Sequence, residues 1–151
     1  MITPELQTRL FQYIGGIARE NKIKLLAAGG VDDHVHLLIS MPSTISISKA
    51  MQLIKGNSSK WIHETFPEHK LFEWQQGYGA FSIGVSDIER TTNYINNQAE
   101  HHGKMDFKTE FRAFLKKHAI EYDERYIFDW NFFGIFRPFG TSFLLRDNSQ
   151  R

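Results

Sequence analysis

The sequence has no cysteine, only four prolines and no long run of apolar residues among its 151 residues. The absence of cysteine excludes a disulfide framework, a thiolate metal site and a cysteine nucleophile. A membrane-spanning helix needs about 18 or more consecutive apolar residues, and no such run is present. The opening residues MITPELQTRL lack the basic and then apolar pattern of a secretory signal, so we expect a cytoplasmic protein.

The chain also lacks an excess of charge of either sign, with 18 Lys and Arg against 17 Asp and Glu and a net charge of +1. An anionic partner would therefore have to be held by a local patch, because the molecule has no overall field to attract it. With 41% hydrophobic and 23% charged residues, the composition is that of an ordinary globular domain.

Apolar spacing and helix-capping signals predict an α+β chain with the element order α-β-β-α-β-α-α. We expect a helix at 4–21, strands at 23–28 and 34–40, a helix after Ser46, a strand or bent hairpin at 72–85, helices at 86–102 and around 107–115, and an extended piece at 120–128. The helix at 86–102 begins at a predicted capping box of Ser86 and Glu89. This order favours helices packed on one face of an antiparallel sheet.

Two histidines, His34 and His36, stand two positions apart on a predicted strand. Residues i and i+2 of a strand face the same side, so the two imidazoles could ligate one metal ion. The alternative is a pair of solvent-facing histidines on a half-exposed strand. Asp32 and Asp33 come just before them and are typical turn residues.

Tyr94 and Gln98 are four positions apart on a predicted helix and therefore share one face. Their stripe is offset by about 100° from the apolar stripe, which predicts a tyrosine at a groove edge. A phenol can attack phosphorus and form a phosphotyrosine. Two imidazoles and the Gln98 amide would suit Mn or Mg beside the phosphate. The alternative is a tyrosine at a helix–sheet seam, with Gln98 solvated.

Several segments together resemble the single-tyrosine transposases of the insertion-sequence-200-like type, which carry a His-hydrophobic-His (HUH) motif and include the REP-associated tyrosine transposases. The resembling segments are Asp32–Pro42, Ile54–Ile62, Trp74–Ser82, Tyr94–His102 and Glu121–Asp129. They follow one another in the family's order over residues 3–129, which makes the combination far more specific than the two histidines alone.

The resemblance implies DNA transposition by a metal-dependent single-strand DNA endonuclease and strand transferase. His34, His36 and Gln98 would be ligands of a divalent metal ion, Mg or Mn. Tyr94 would be the nucleophile, leaving a 5′-phosphotyrosine and a free 3′-hydroxyl. The resemblance also implies a ferredoxin-like or RRM-like sandwich, a homodimer, and substrates that are imperfect hairpins near the ends of a mobile element.

Four residues of the helix after Ser46 are our candidates for phosphate contacts, from charge and helix position alone. These DNA-binding candidates are Lys55, Asn57, Ser59 and Lys60. The alternative is an ordinary solvated helix face.

We divide the chain into a transposase catalytic domain at 1–129 and an aromatic-rich C-terminal extension at 130–151. The resemblance implies a strand ahead of the family's first helix, and we expect a chain that begins at that helix to expose strand edges in a ferredoxin-like sheet. The extension could supply a replacement strand, contact a partner, or be the readthrough of a degraded gene.

Two other functions compete with transposition. A degenerate or domesticated relative would bind hairpin nucleic acid without cutting it, with salt-dependent affinity and no metal requirement. A metal-dependent hydrolase unrelated to DNA would rest on His34 and His36 alone, with Asp33 as the sequence-adjacent carboxylate.

Overall fold

The computed structural model of the chain describes residues 2–75, 77–98, 106–124 and 141–146, with the backbone alone for 107 and 141–146. The helices in these ranges are α1 (Pro4–Glu20), α2 (Ile47–Thr65), α3 (Ile88–Asn96) and α4 (Phe107–Lys117). The strands are β1 (Lys24–Gly30), β2 (His34–Ser40), β3 (Gly79–Ser82) and β4 (Thr141–Arg146). Two 3₁₀ turns, Pro67–His69 and Val85–Asp87, come before β3 and α3.

The four strands form one antiparallel sheet in the order β1-β2-β4-β3. β2 pairs with β1 on one side and with β4 on the other, and β4 pairs in turn with β3. The strand from the C-terminal extension therefore lies in the interior of the sheet, next to the strand that carries both histidines. The α+β class and the antiparallel sheet predicted from the sequence are confirmed.

The main hydrophobic core lies between α1, α2 and one face of the sheet. Val35, Leu37 and Ile39 of β2 are fully buried on this face. Both helices begin at side-chain caps: the Thr3 hydroxyl accepts the Leu6 amide of α1, and the Ser46 hydroxyl accepts the Lys49 amide of α2. Such caps satisfy amides that have no partner within the helix.

The other face of the sheet is covered by α3 and α4. Leu38 of β2 packs with Ile95 of α3, and Phe81 of β3 packs with Phe111 and Leu115 of α4. Because neighbouring residues of a strand point to opposite faces, Leu38 and both histidines belong to this second face. The sequence predicts helices on one face of the sheet. α1 and α2 lie on that face, and α3 and α4 lie on the opposite face, so helices cover both faces.

The capping box predicted at Ser86 is wrong. Ser86 lies inside the 3₁₀ turn Val85–Asp87, and Asp87 precedes α3 without a side-chain cap bond. The box would need an extended backbone at Ser86, and the tight turn removes it. The helix predicted to run unbroken to 102 ends at Asn96, where Asn97 caps α3, and residues 99–102 lie outside the described residues.

In the segment predicted as a strand or bent hairpin at 72–85, the described residues that form a strand are Gly79–Ser82. Its first half packs against α2, with a single β-bridge residue at Trp74. The Trp74 indole donates to the Ser58 hydroxyl at 2.8 Å, and that hydroxyl donates to the Ile54 carbonyl at 2.6 Å. The extended piece predicted at 120–128 forms no strand at 120–124, and the rest of it lies outside the described residues.

Candidate functional site

The two histidines of β2 lie side by side beneath α3 and α4. His34 and His36 are 0% and 1% exposed, and their ring centroids are 5.1 Å apart. The rings of Tyr94 and Phe114 cover His36, with centroids 5.9 Å and 6.1 Å from it. The alternative of two solvent-facing histidines is therefore wrong.

Tyr94 and Gln98 reach the same place from α3 and from the residues just after it. The half-buried Tyr94 donates its hydroxyl hydrogen bond to the carboxylate of Glu110. The Gln98 amide is buried and donates to Glu110 Oε1 at 3.4 Å. The structure thus brings His34, His36, Tyr94 and Gln98 together within one chain.

Glu110 of α4 is the residue that sequence reasoning missed. Its Oε2 lies 3.2 Å from His34 Nε2, and its Oε1 lies 3.5 Å from His36 Nε2. A weak signal was present in the sequence: Glu110 precedes Phe114 by four positions and so shares the inward face of a helix rich in phenylalanine. An acid on such a face needs a polar partner inside the fold.

Asp33 holds the other ring nitrogen of His34. Its Oδ1 lies 2.6 Å from His34 Nδ1. A carboxylate bonded to one ring nitrogen fixes the orientation of an imidazole and turns the second nitrogen toward the site. Asp33 therefore lies behind His34, and the carboxylate beside both Nε2 atoms is Glu110.

Burial and charge act against each other in this cluster. Burial alone would raise the pKa of Glu110, but hydrogen bonds and charge from His34 and His36 lower it to about 2. Burial likewise works to lower the pKa of His34, yet Asp33 and Glu110 outweigh it and the pKa is raised. For His36 burial prevails over Glu110, and its pKa is lowered, which favours the neutral imidazole that binds metal ions.

The donor set fits a divalent metal ion. One ligand atom from each of His34, His36 and Glu110 lies within 4.8 Å of the others, and all three side chains are buried. Two imidazole nitrogens and a carboxylate oxygen suit ions such as Mn, and Gln98 adds an amide beside them. The group could hold such an ion.

The family model for IS200-like transposases matches residues 1–98 of the chain. The chain belongs to the IS200-like transposase family. The match takes in both histidines of β2, Tyr94 and Gln98, and it ends before Glu110 and before β4.

Two curated relatives of this IS200-like transposase are described as the transposase for insertion sequence element IS200, from Salmonella typhimurium and Salmonella typhi. Each is 29% identical over 96 residues, covering 58% of this chain and 62% of the relative. The alignment thus spans under two thirds of the relatives' length. No solved structure matches the chain. In the described ranges, no helix combines the length and apolar character needed to cross a membrane.

The four DNA-binding candidates of the chain lie on α2, which packs on the sheet face opposite the histidines. The Lys55 side chain is already hydrogen-bonded within the fold. Its ammonium donates to the carbonyls of Gln75 at 2.6 Å and Gly77 at 2.8 Å. Burial lowers the pKa of Lys55. This lysine anchors the segment that leads into β3.

The other three candidates are more accessible. Asn57 and Lys60 are exposed and Ser59 is half-buried, and the Lys60 ammonium lies 3.9 Å from a Glu64 carboxylate oxygen. The structure does not bring these side chains to Tyr94, because the sheet separates α2 from α3.

Proposed function

We propose that this IS200-like transposase is a metal-dependent single-strand DNA endonuclease and strand transferase that acts through Tyr94. The observation that carries the proposal is that Tyr94, Glu110 and the two histidines contact one another within one chain. The Tyr94 hydroxyl bonds to a carboxylate that also lies beside the Nε2 atoms of His34 and His36. A nucleophile beside a metal-binding group is the arrangement that phosphoryl transfer through a covalent intermediate requires.

The proposed cleavage begins with attack of the Tyr94 oxygen on the scissile phosphorus. The new oxygen–phosphorus bond forms as the bond to the 3′ oxygen breaks, and the phenol proton passes to solvent water. The DNA segment that leaves takes up a proton and ends in a 3′-hydroxyl. The other segment of the cut strand stays attached to the protein through a 5′-phosphotyrosine. A second 3′-hydroxyl then attacks that phosphorus. A new phosphodiester bond forms and joins two DNA segments, the bond between phosphorus and the Tyr94 oxygen breaks, and the phenol is restored.

The proposed metal ligands are His34, His36 and Gln98, with Glu110 as a further ligand candidate. A bound Mg or Mn ion would polarise the scissile phosphate and offset the charge that develops on it. Asp33 orients the His34 ring, and the Glu110 carboxylate holds the Tyr94 hydroxyl toward the histidines.

The proposed substrates are hairpins near the ends of a mobile element, and the proposed assembly is a homodimer in the cytoplasm. Tyr94 and the histidines belong to one chain here, which supports cleavage within a single subunit. Asn57, Ser59 and Lys60 remain predicted contacts to hairpin phosphates away from the cleaved bond, and Lys55 would contribute from its anchored position.

The test is incubation with labelled single-stranded hairpin DNA and Mn, followed by a denaturing gel. We expect a protein–DNA band for the parent and none for Tyr94→Phe or after chelation of the metal. Tyr78→Phe is the matched control, because Tyr78 bonds the Ser48 hydroxyl on α2 and should leave the band unchanged. Cleavage by Tyr94→Phe at the parent's rate would refute the proposal.

The same gel separates the alternatives. Binding of the hairpin without any covalent band or metal requirement would favour a non-cleaving nucleic-acid-binding module. Metal-dependent hydrolysis that survives Tyr94→Phe would favour a hydrolase built on the two histidines.

A further inference from the structure

A cleft of about 360 Å³ opens between α3 and α4, directly beside the candidate site. Tyr94 and Glu110 line it, and so do Phe114, Arg90 and Lys117. Its volume lies within the range of ordinary ligand clefts, roughly 300–1,000 Å³. The cleft is thus an entrance through which a ligand can meet the Tyr94 hydroxyl.

The helical spacing explains why two cations share this cleft. Arg90 precedes Tyr94 by four positions on α3, and Lys117 follows Glu110 by seven on α4, so each cation lies on the same helix face as a residue of the site. Both cations are exposed. Two positive side chains on the facing sides of one cleft favour an anionic ligand.

The charged side chains of the cleft differ in how accessible they are to a ligand. Among the described residues that line the cleft, Glu110 is the carboxylate, and it is already bonded to Tyr94 and lies beside the two histidines. In the described part of the chain, the ion-pair partner of Arg90 is Asp87, at 2.5 Å, whose side chain is 40% exposed. Among the described residues, no carboxylate lies within ion-pair distance of Lys117. The cations therefore remain open to a phosphate, because an exposed ion pair is worth little.

We propose that the α3–α4 cleft binds the single-stranded DNA next to the cleaved bond, and that Arg90 and Lys117 contact its phosphates. Phe114 supplies an aromatic ring at the cleft wall, where a base can stack without sequence preference. This inference rests on the proposed function for its ligand. It places the strand on the α3–α4 side of the sheet instead of the α2 side.

The test is the binding of a fluorescein-labelled oligothymidylate by anisotropy, with EDTA present and over a series of salt concentrations. Arg90→Gln and Lys117→Gln should each weaken binding about threefold to tenfold and reduce the slope of log affinity against log salt by about one. Lys116→Gln is the matched control, because this exposed lysine is adjacent to Lys117 on α4 and does not line the cleft. It should bind as the parent does.

Asp87→Asn separates a phosphate contact from a structural role of Arg90. It removes the carboxylate that competes for Arg90, so binding should become tighter, by about twofold. If Arg90 acted only through its ion pair with Asp87, this variant would instead weaken binding as Arg90→Gln does.

Several results would overturn the inference: no binding of the oligomer by the parent, parent-like affinity and salt dependence in both cleft variants, or an equal loss in Lys116→Gln. The metal-free assay involves no cleavage. Binding that depends on Arg90 and Lys117 without a covalent band on the denaturing gel would therefore refute the proposed catalysis and leave the cleft assignment standing.

Discussion

Glu110 of α4 contacts polar groups from strand β2 and from α3 and the residues just after it, which are far apart in the sequence. It accepts the Tyr94 hydroxyl, lies within 3.5 Å of both histidine Nε2 atoms and receives the Gln98 amide. A buried acid with so many polar neighbours is stable as an anion, in keeping with a pKa of about 2. The same anion is available as an oxygen ligand for a metal ion.

Glu110→Gln should lower the affinity for Mn about tenfold or more, because the amide keeps the shape of the side chain and removes the negative charge. Isothermal titration calorimetry with Mn measures the change. Glu124→Gln is the control: this exposed carboxylate pairs with Arg112 and lies away from the histidines, so its loss should leave the affinity unchanged. Equal Mn affinity in parent and Glu110→Gln would show that Glu110 is not a ligand.

Local rules predicted which residues share a face, and long-range contacts decided the rest of the site. Strand alternation placed His34 beside His36, and helix periodicity placed Tyr94 near Gln98. The position of Glu110 depends on how α4 packs against β2, and no local pattern encodes that contact. The role of Gln98 as a metal ligand remains a prediction.

At the scale of elements, two glycines allow the helices of the second face to approach the sheet. Gly29 of β1 lies opposite His36, and a Cβ atom at Gly29 would be 2.1 Å from the Ile95 carbonyl oxygen of α3. At the start of β3, a Cβ on Gly79 would lie 2.7 Å from the ring of Phe111 in α4. Because α3 lies this close to the sheet at Gly29, Tyr94 of α3 reaches the histidines.

Gly29→Ala should therefore lower the free energy of unfolding by about 1–3 kcal/mol through overpacking, and should reduce Tyr94-dependent cleavage as α3 moves outward. Urea denaturation and the covalent-band assay measure the two effects. Gly56→Ala on α2 is the matched control. A Cβ at Gly56 meets no atom within 4 Å, so this change should stabilise the helix by up to about 1 kcal/mol. A stabilising Gly29→Ala would contradict the packing described here.

The start of α4 is capped by a carboxylate, that of Asp106. Asp106 Oδ1 accepts the Thr109 amide at 2.8 Å, and this bond lowers the pKa of Asp106. A carboxyl with a depressed pKa in the folded state adds stability above its unfolded pKa, about 3.9, and loses it as the pH falls through the folded value. Asp106→Asn keeps a capping oxygen that does not titrate.

The melting temperature of Asp106→Asn should therefore fall less than that of the parent between about pH 6 and about pH 3. Thermal melts followed by circular dichroism at a series of pH values measure the difference. Parallel melting curves for the two proteins throughout this range would show that the Asp106 bond does not contribute.

At the scale of the whole molecule, the strand order could not be predicted from the sequence. Helix and strand positions follow from local periodicity, as the bounds of β2 and α2 show. The partners of β4 depend on contacts between residues about a hundred positions apart, such as His36 and Leu144. The sequence alone leaves three alternatives open for the extension at 130–151, and residues 141–146 of it form a strand of the sheet.

The absence of cysteine makes the register of β4 directly testable. Ser82 of β3 lies opposite Thr141 of β4, and opposite residues of antiparallel strands are close enough for a disulfide. The double variant Ser82→Cys with Thr141→Cys should oxidise rapidly to a disulfide within one chain, seen on a non-reducing gel. The pair Ser82→Cys with Arg146→Cys, five positions further along β4 and opposite His34, should oxidise much more slowly. Equal rates would contradict the register, and a disulfide between two chains would mean that β4 comes from a second copy.

The interior position of β4 has a consequence for biosynthesis. The ribosome makes β1, β2, α3 and α4 before β4, so the histidines and the tyrosine exist in the nascent chain while one edge of β2 still lacks its neighbour. Pairing over such sequence distances is slow, and an unpaired strand edge invites association with other chains. A chain whose translation stops ahead of residue 141 would thus carry every proposed catalytic residue and still be prone to aggregate.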